Sequence, residues 1–187
     1  MKTLIVNNAG VNIKDFVYPL SYKLESMNAR YDVRHFSELP EIDKGNYDRV
    51  LLSASPMGDD IVEHHLPFYQ WVRSYGKPIF GICAGHQVIG RLYGAELIRN
   101  DEMEDGLGYI IVDRDDPIFN GYGKEIPVMQ HHRDSITVPE DFLKLAHSSI
   151  CENEVMRHKS LPIVTVQFHA EEMNMMMVEN FYNFYKS

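Results

Sequence analysis

With 187 residues, 44% of them hydrophobic and 24% charged, the chain can bury one sizeable core and reads as a single domain over 1–187. A formal net charge of −9 argues against nucleic acid or an anionic membrane surface as the main partner. Two cysteines, Cys83 and Cys151, make no disulfide framework. No apolar run reaches transmembrane or signal length, so a cytoplasmic location is expected.

Taken in order, residues 3–6 predict a buried strand, ended by Asn7, Asn8, Ala9 and Gly10. A helix is expected over 15–27, with Phe16, Leu20 and Leu24 on one face and Pro19 near its start. Residues 31–36 alternate like a strand. Residues 48–53 form a third strand and run into a turn over 53–60. A second helix follows over 59–75, interrupted at Pro67 and stopped by Gly76. Residues 78–82 are a short apolar strand, after which Val88, Ile89 and Leu92 fall at helical spacing up to Gly94. Strand and helix alternate in the order that builds an α/β fold, a mostly parallel central sheet with helices on both faces.

Beyond Gly94 the pattern changes. Residues 108–112, 125–129, 142–146, 154–157 and 162–168 are short strand candidates, punctuated by Pro117, Gly121, Gly123, Pro127, Pro139 and Pro162. They predict a small β-rich extension of the same domain. Residues 171–186 predict a terminal helix whose Met173, Met176, Met177, Phe181 and Phe184 pack the core.

The turn at Gly81-Ile82-Cys83-Ala84-Gly85 spells G-x-C-x-G, the cysteine form of a nucleophile elbow. A sharp strand-to-helix turn crowds its neighbours, so glycines stand two residues either side of the nucleophile. The sulfur is left at a helix N-terminus, where amides without partners favour an anion, and the thiolate is the reactive form of cysteine. Such a nucleophile needs a base, and the base needs an orienting group. Of the nine histidines, His169 is the best placed, because it ends the apolar strand that finishes at Phe168. A parallel sheet gathers its ligands at that carboxyl edge. Glu171, two residues on, can orient the imidazole. An oxyanion would be met by the backbone N–H of Ala84 and by that of Ser55, in the neighbouring strand-end loop. The pairs His64-His65 and His131-His132 could supply metal ligands, with Cys151 as a soft one. Adjacent residues point apart, however, and no zinc-type spacing occurs, so neither metal nor cofactor is expected.

Gly81-Ile-Cys-Ala-Gly-His-Gln87 followed by Gln167-Phe-His-Ala-Glu171 resembles the class I, triad-type glutamine amidotransferases over essentially the whole chain. The resemblance implies a flavodoxin-like glutaminase domain with Cys83 as nucleophile, His169 as base and Glu171 as its orienter. It also implies that Gln87 helps hold the substrate, L-glutamine. Within the family, the glutaminase part of GMP synthetase is most similar, through His131-His132-Arg133-Asp134-Ser135-Ile136. By that likeness the His131–His132 backbone meets the α-amino and α-carboxylate groups of glutamine, and Asp134 lies near a synthetase interface. Three departures stand out. The oxyanion loop reads Ala54-Ser55-Pro56 where the family has Gly-Gly-Pro, and a required positive φ would strain Ser55. His169-Ala170-Glu171 replaces His-Pro-Glu, and Asn7-Asn8-Ala9-Gly10 lacks the acidic or Gln-rich N-terminal signature of GMP synthetase.

The implied reaction is hydrolysis of glutamine to glutamate and ammonia through a γ-glutamyl thioester. The chain carries no P-loop and no Ser-Gly-Gly-x-Asp-Ser pyrophosphatase loop, so an ATP-dependent synthetase that takes the ammonia would be a separate subunit. Two alternatives use the same fold: a γ-glutamyl hydrolase or peptidase-like enzyme, and a catalytically silent interaction protein.

Overall fold

The computed structural model describes residues 1–56 and 61–185. Strand β1 (Lys2–Asn7) leads through helix α1 (Tyr18–Ser26) to β2 (Arg30–His35) and β3 (Arg49–Leu52). Two short helices, α2 (Ile61–His65) and α3 (Val72–Tyr75), precede β4 (Ile79–Ile82) and α4 (Ala84–Leu92). The second half runs β5 (Leu97–Val112), β6 (Glu125–Ile136), β7 (Phe142–His147), β8 (Val155–His158) and β9 (Ile163–Val166). Helices α5 (Ala170–Met173) and α6 (Met175–Phe184) end the described chain.

These strands make one nine-stranded sheet in the order β2-β1-β3-β4-β9-β8-β7-β5-β6. The expected α/β architecture holds, and the β-rich extension continues the same sheet. Four strand pairs are parallel and four are antiparallel. The change of direction falls at β9, which is parallel to β4 and antiparallel to β8. The last strand of the chain is therefore inserted at the centre of the sheet, beside the elbow strand.

Side chains alternate across the parallel half. Ile5, Leu51, Phe80 and Ile82 face Leu20 and Leu24 of α1 and Phe181 of α6. Leu4, Val6, Val50, Leu52 and Ile79 face Val72 of α3 and Val88, Ile89 and Leu92 of α4. Strands buried on both faces read as continuous apolar runs, which is why 3–6 and 78–82 were legible. Each fully buried Leu, Ile or Phe adds about 1.5–3 kcal/mol, so both layers are anchored along their length.

Differences from expectation have local causes. Helix α1 begins at Tyr18, with Pro19 in its first turn, where a missing N–H costs nothing. The helix expected over 59–75 is split into α2, a 3-10 segment at Leu66–Tyr69 and α3, the break falling at Pro67. Its expected start at 59 lies outside the described residues. The terminal helix is also split. Asn174, whose Nδ2 donates to the Pro127 carbonyl at 3.0 Å, interrupts it. The break resets the buried face to Met177, Val178, Phe181 and Tyr182. Met173, Met176 and Phe184, expected in the core, are exposed.

Two strands are much longer than predicted. β5 starts at Leu97, and its pairing with β6 is interrupted by a bulge between Arg99 and Glu104, within the charged stretch from Asn100 to Asp105. β6 runs on to Ile136 because polar side chains at Gln130, His132 and Asp134 take the inward positions. Alternation of burial persists there while alternation of hydrophobicity does not.

Candidate active site

β4 ends at Ile82 and α4 begins at Ala84, so a single residue makes the turn. Cys83 adopts φ 48° and ψ −100°, a conformation that costs a non-glycine residue on the order of 1–3 kcal/mol. Its N–H donates to the Val166 carbonyl at 2.8 Å, and its own carbonyl accepts from the Gln87 N–H at 3.0 Å. A Cβ on Gly81 would lie 2.9 Å from the Gly85 backbone, and one on Gly85 would lie 2.7 Å from the Leu52 Cβ. Close approach therefore requires both glycines, as the motif spacing predicted.

His169 follows β9, whose Val166 stands opposite Ile82 of β4. Two positions far apart in sequence thus reach the same sheet edge. The His169 N–H donates to the Met129 carbonyl at 2.8 Å, tying the residue to β6. Its buried ring packs between Phe16 and His131, at centroid distances of 5.7 and 5.6 Å. Nδ1 lies 2.7 Å from Glu171 Oε1, which leaves Nε2 for Cys83. Burial alone would lower the imidazole pKa, but hydrogen bonds to Cys83 and Glu171, and their negative charge, push it up to about 11. At neutral pH the ring therefore holds a proton between sulfur and carboxylate. Cys83, His169 and Glu171 are brought together as the sequence reading expected.

A cleft of about 430 Å³ opens at this edge, lined by Ser55, His131, His132 and His169 together with Phe16, Met103 and Arg133. A larger hollow, about 530 Å³, lies near Arg49, Pro78 and Pro162, at the amino ends of the strands and away from the Cys–His pair. The Ser55 loop is held from below. Asn8 donates from its backbone N–H to Ser53 Oγ at 3.0 Å and from Nδ2 to the Ser53 carbonyl at 2.6 Å. Tyr69 donates to Asn8 Oδ1, and His65 Nε2 donates to the Asn8 carbonyl at 3.0 Å. Among the described residues, Asn28 and Cys83 are the non-glycine positions with positive φ. Ser55 thus carries none of the strain that a glycine-type conformation would impose. Ala84 sits in the first turn of α4, where amides have no acceptor within the helix.

The remaining candidates are placed differently from one another. His131 is half exposed, its Nδ1 2.5 Å from Asp105 Oδ1. His132 points inward, opposite Glu104 in the β5–β6 ladder, with Nε2 3.0 Å from Gln130 Oε1 and 3.4 Å from Glu104 Oε2. Burial, reinforced by the charge on His169, brings its pKa down to about 4. Behind it, Gln130 Nε2 donates to Glu154 Oε1 at 2.6 Å. Burial and the Glu104 charge raise the Glu154 carboxyl to about 8. Asp134 is 1% exposed, with its carboxylate 3.7 Å from Arg99 Nη1. Its carboxylate therefore points into the fold, paired with the exposed Arg99. Burial raises the Cys151 thiol well above its ordinary range.

Gln87 is buried and does not line the cleft. Its Nε2 donates to the Asp134 carbonyl at 2.9 Å and to Gln167 Oε1 at 3.2 Å. Gln167 in turn donates from Nε2 to Cys83 Sγ at 3.7 Å. The sequence alone assigned Gln167 no role. The available signal was its period-two spacing from His169, which sets both side chains on one face of an extended segment.

The family model for glutamine amidotransferase class-I matches residues 11–185. A glutamine-hydrolyzing GMP synthase subunit of Methanocaldococcus jannaschii is 44% identical over 95 residues, covering 50% of this chain and 50% of that protein. In that comparison the match spans about half the length of the curated relative. The equivalent protein of Methanococcoides burtonii is 31% identical over 193 residues, covering 100% of this chain and 96% of its own. A crystal structure of a GMP synthase subunit from Thermoplasma acidophilum superposes with a TM-score of 0.87 at 26% identity. It covers 98% of this chain and 92% of that one. The elbow, the histidine–glutamate couple and the sheet that joins them thus sit in a chain that belongs to the class-I glutamine amidotransferase family.

Proposed function

We propose that this chain hydrolyses the side-chain amide of L-glutamine and passes the ammonia to a separate ATP-dependent synthetase that makes GMP. The observation that carries the reading is the buried His169, held between the Cys83 sulfur and the Glu171 carboxylate beside an open cleft. The Cys83 thiolate attacks the amide carbon, and the C=O π pair moves onto oxygen. The backbone N–H groups of Ala84 and Ser55 meet that oxyanion. His169, steadied by Glu171, gives its proton to the departing nitrogen, the C–N bond breaks, and ammonia leaves behind a γ-glutamyl thioester. Water then loses a proton to the same imidazole and adds to the thioester. Collapse expels the thiolate and yields glutamate. His131 and His132 border the cleft where the α-amino and α-carboxylate groups of glutamine would lie.

The partner reading draws on the names carried by the relatives. Purified chain incubated with glutamine should release glutamate and ammonia one to one. Cys83→Ala should abolish this. Addition of an ATP-dependent GMP synthetase subunit with its nucleotide substrates should couple glutamine use to GMP formation. Hydrolysis of γ-glutamyl peptides in place of free glutamine would overturn the assignment.

A further inference from the structure

We propose that Gln167 is a catalytic residue whose side-chain N–H stabilises the Cys83 thiolate, and that Gln87 is the positioning residue fixing the direction of that amide. This rests on the reading of Cys83 as nucleophile.

The two ends of a glutamine amide cannot be told apart by shape, so the orientation must come from its partners. Here one partner is unambiguous. The backbone carbonyl of Asp134 can only accept, so the Gln87 terminus 2.9 Å from it is the NH₂ group. The same nitrogen lies 3.2 Å from the near end of Gln167, which must then be the carbonyl oxygen. The far end of Gln167, 3.7 Å from Cys83 Sγ, is therefore NH₂, and a hydrogen points at the sulfur. Gln167 is 0% exposed and Gln87 6%, so water does not compete for these positions. The Gln167 backbone is fixed as well, its N–H donating to the Glu154 carbonyl at 2.8 Å.

A donor that meets sulfur favours the anion over the neutral thiol, because hydrogen bonds to charged acceptors are the stronger ones. It differs from His169 in one respect that matters chemically. His169 surrenders its proton to the leaving ammonia and must regain one from water, so its charge changes during turnover. The amide of Gln167 keeps its hydrogens throughout. It stabilises sulfur both when the thiolate attacks and when the second tetrahedral adduct expels it again. In neither step does it gain or lose a proton.

The test uses the full chain with Cys151→Ser, leaving Cys83 as the one thiol. Alkylation of Cys83 by iodoacetamide is followed against pH, and kcat and KM for glutamine are measured in parallel. In Gln167→Leu, alkylation at pH 7 should fall about tenfold and its acid limb should move about one pH unit upward, the size expected for one charged hydrogen bond. The kcat should drop while KM stays within about twofold. Gln167→Glu keeps the shape but turns an acceptor toward sulfur. Its loss should be deeper and should be relieved as pH falls. Gln87→Leu should move the alkylation profile in the same direction by less. Should Gln167→Leu fail to fold, the isosteric Gln167→Glu decides alone. Superimposable alkylation profiles in folded variants would overturn the proposal and leave Gln167 as packing. A shifted profile in a protein that hydrolyses no glutamine would sustain the role of Gln167 and reject the glutaminase reading.

Discussion

Glu171 Oε1 accepts a 2.7 Å hydrogen bond from His169 Nδ1 across a single intervening residue, Ala170, and both side chains are buried. The contact fixes the ring tautomer and supplies part of the charge that raises the imidazole. Substitution by Gln keeps the size and removes the charge. Glu171→Gln should lower kcat for glutamine about 100-fold or more, with little change in KM. The alkaline limb of its pH–rate profile should move to lower pH, because one of the groups holding the His169 proton is gone. Steady-state glutamate release across pH 6 to 11 measures both effects, and an unmoved alkaline limb would rule out Glu171 as the orienter.

Gly85 offers a purely steric test of the elbow. An added methyl would press on the Leu52 side chain and carbonyl at 2.7 and 2.9 Å. Overpacking of this kind costs typically about 1–3 kcal/mol, which corresponds to roughly 2–12 °C in a domain of this size. Gly85→Ala should lower the melting temperature accordingly. It should also reduce kcat by shifting the start of α4 and with it the Ala84 amide. Gly76, whose Cβ position is open but whose φ is +67°, is the control. Gly76→Ala should lose stability from backbone strain and keep its activity.

Stability should fall as pH rises through the neutral range because of the carboxyls behind His132. Burial, and repulsion from Glu104, raise Glu154 to about 8. The folded state thus holds a proton that the unfolded chain has released above about pH 4.5. Folded protein binds more protons than unfolded between those values, so unfolding free energy declines with pH across that window. Glu154→Gln should flatten the decline while leaving stability near pH 4 little changed. Urea titrations at pH 4.5, 6 and 8 give the slope.

His86 acts in the opposite sense. Its Nδ1 lies 2.8 Å from Thr165 Oγ1, and burial lowers its pKa to about 3. The unfolded imidazole takes up a proton below about pH 6.5. Stability contributed by the neutral folded ring is therefore lost as pH falls from there toward 3. His86→Gln should unfold less steeply with acid, as read by circular dichroism between pH 3 and 7.

Asn8 is predicted to matter to catalysis without touching substrate. Its side chain and backbone hold Ser53 through two hydrogen bonds, and Tyr69 and His65 hold Asn8. Asn8→Ala strands the buried Tyr69 hydroxyl and the Ser53 carbonyl, at about 1–3 kcal/mol per stranded group. Melting temperature should drop, and kcat should fall more than KM rises as the Ser55 loop loses its support.

Much of the site was legible because its requirements are local. The glycines at 81 and 85 are dictated by contacts within one turn, and His169 with Glu171 by the end of one apolar strand. Gln167 was not legible, because its role depends on Gln87 arriving from another element. The inward side chains of Gln130, His132 and Asp134 were hidden for a related reason. They occupy inward positions of β6, where polar residues are normally read as surface. The charged run from Asn100 to Asp105 hid most of β5, since a ribbon paired mainly with β6 needs no apolar alternation. In the terminal segment the helical period was right, but the interruption at Asn174 rotated which methionines meet the core.

Because β9 returns to lie beside β4, everything the chain does between Leu97 and His158 is a detour that starts and finishes at the middle of the sheet. Loops in that detour can lengthen, shorten or acquire new decoration without altering the spacing between nucleophile and base. The strands of that detour, by contrast, are part of the site: the Met129 carbonyl of β6 accepts from the His169 N–H at 2.8 Å, and Met103, His131, His132 and Arg133 line the cleft.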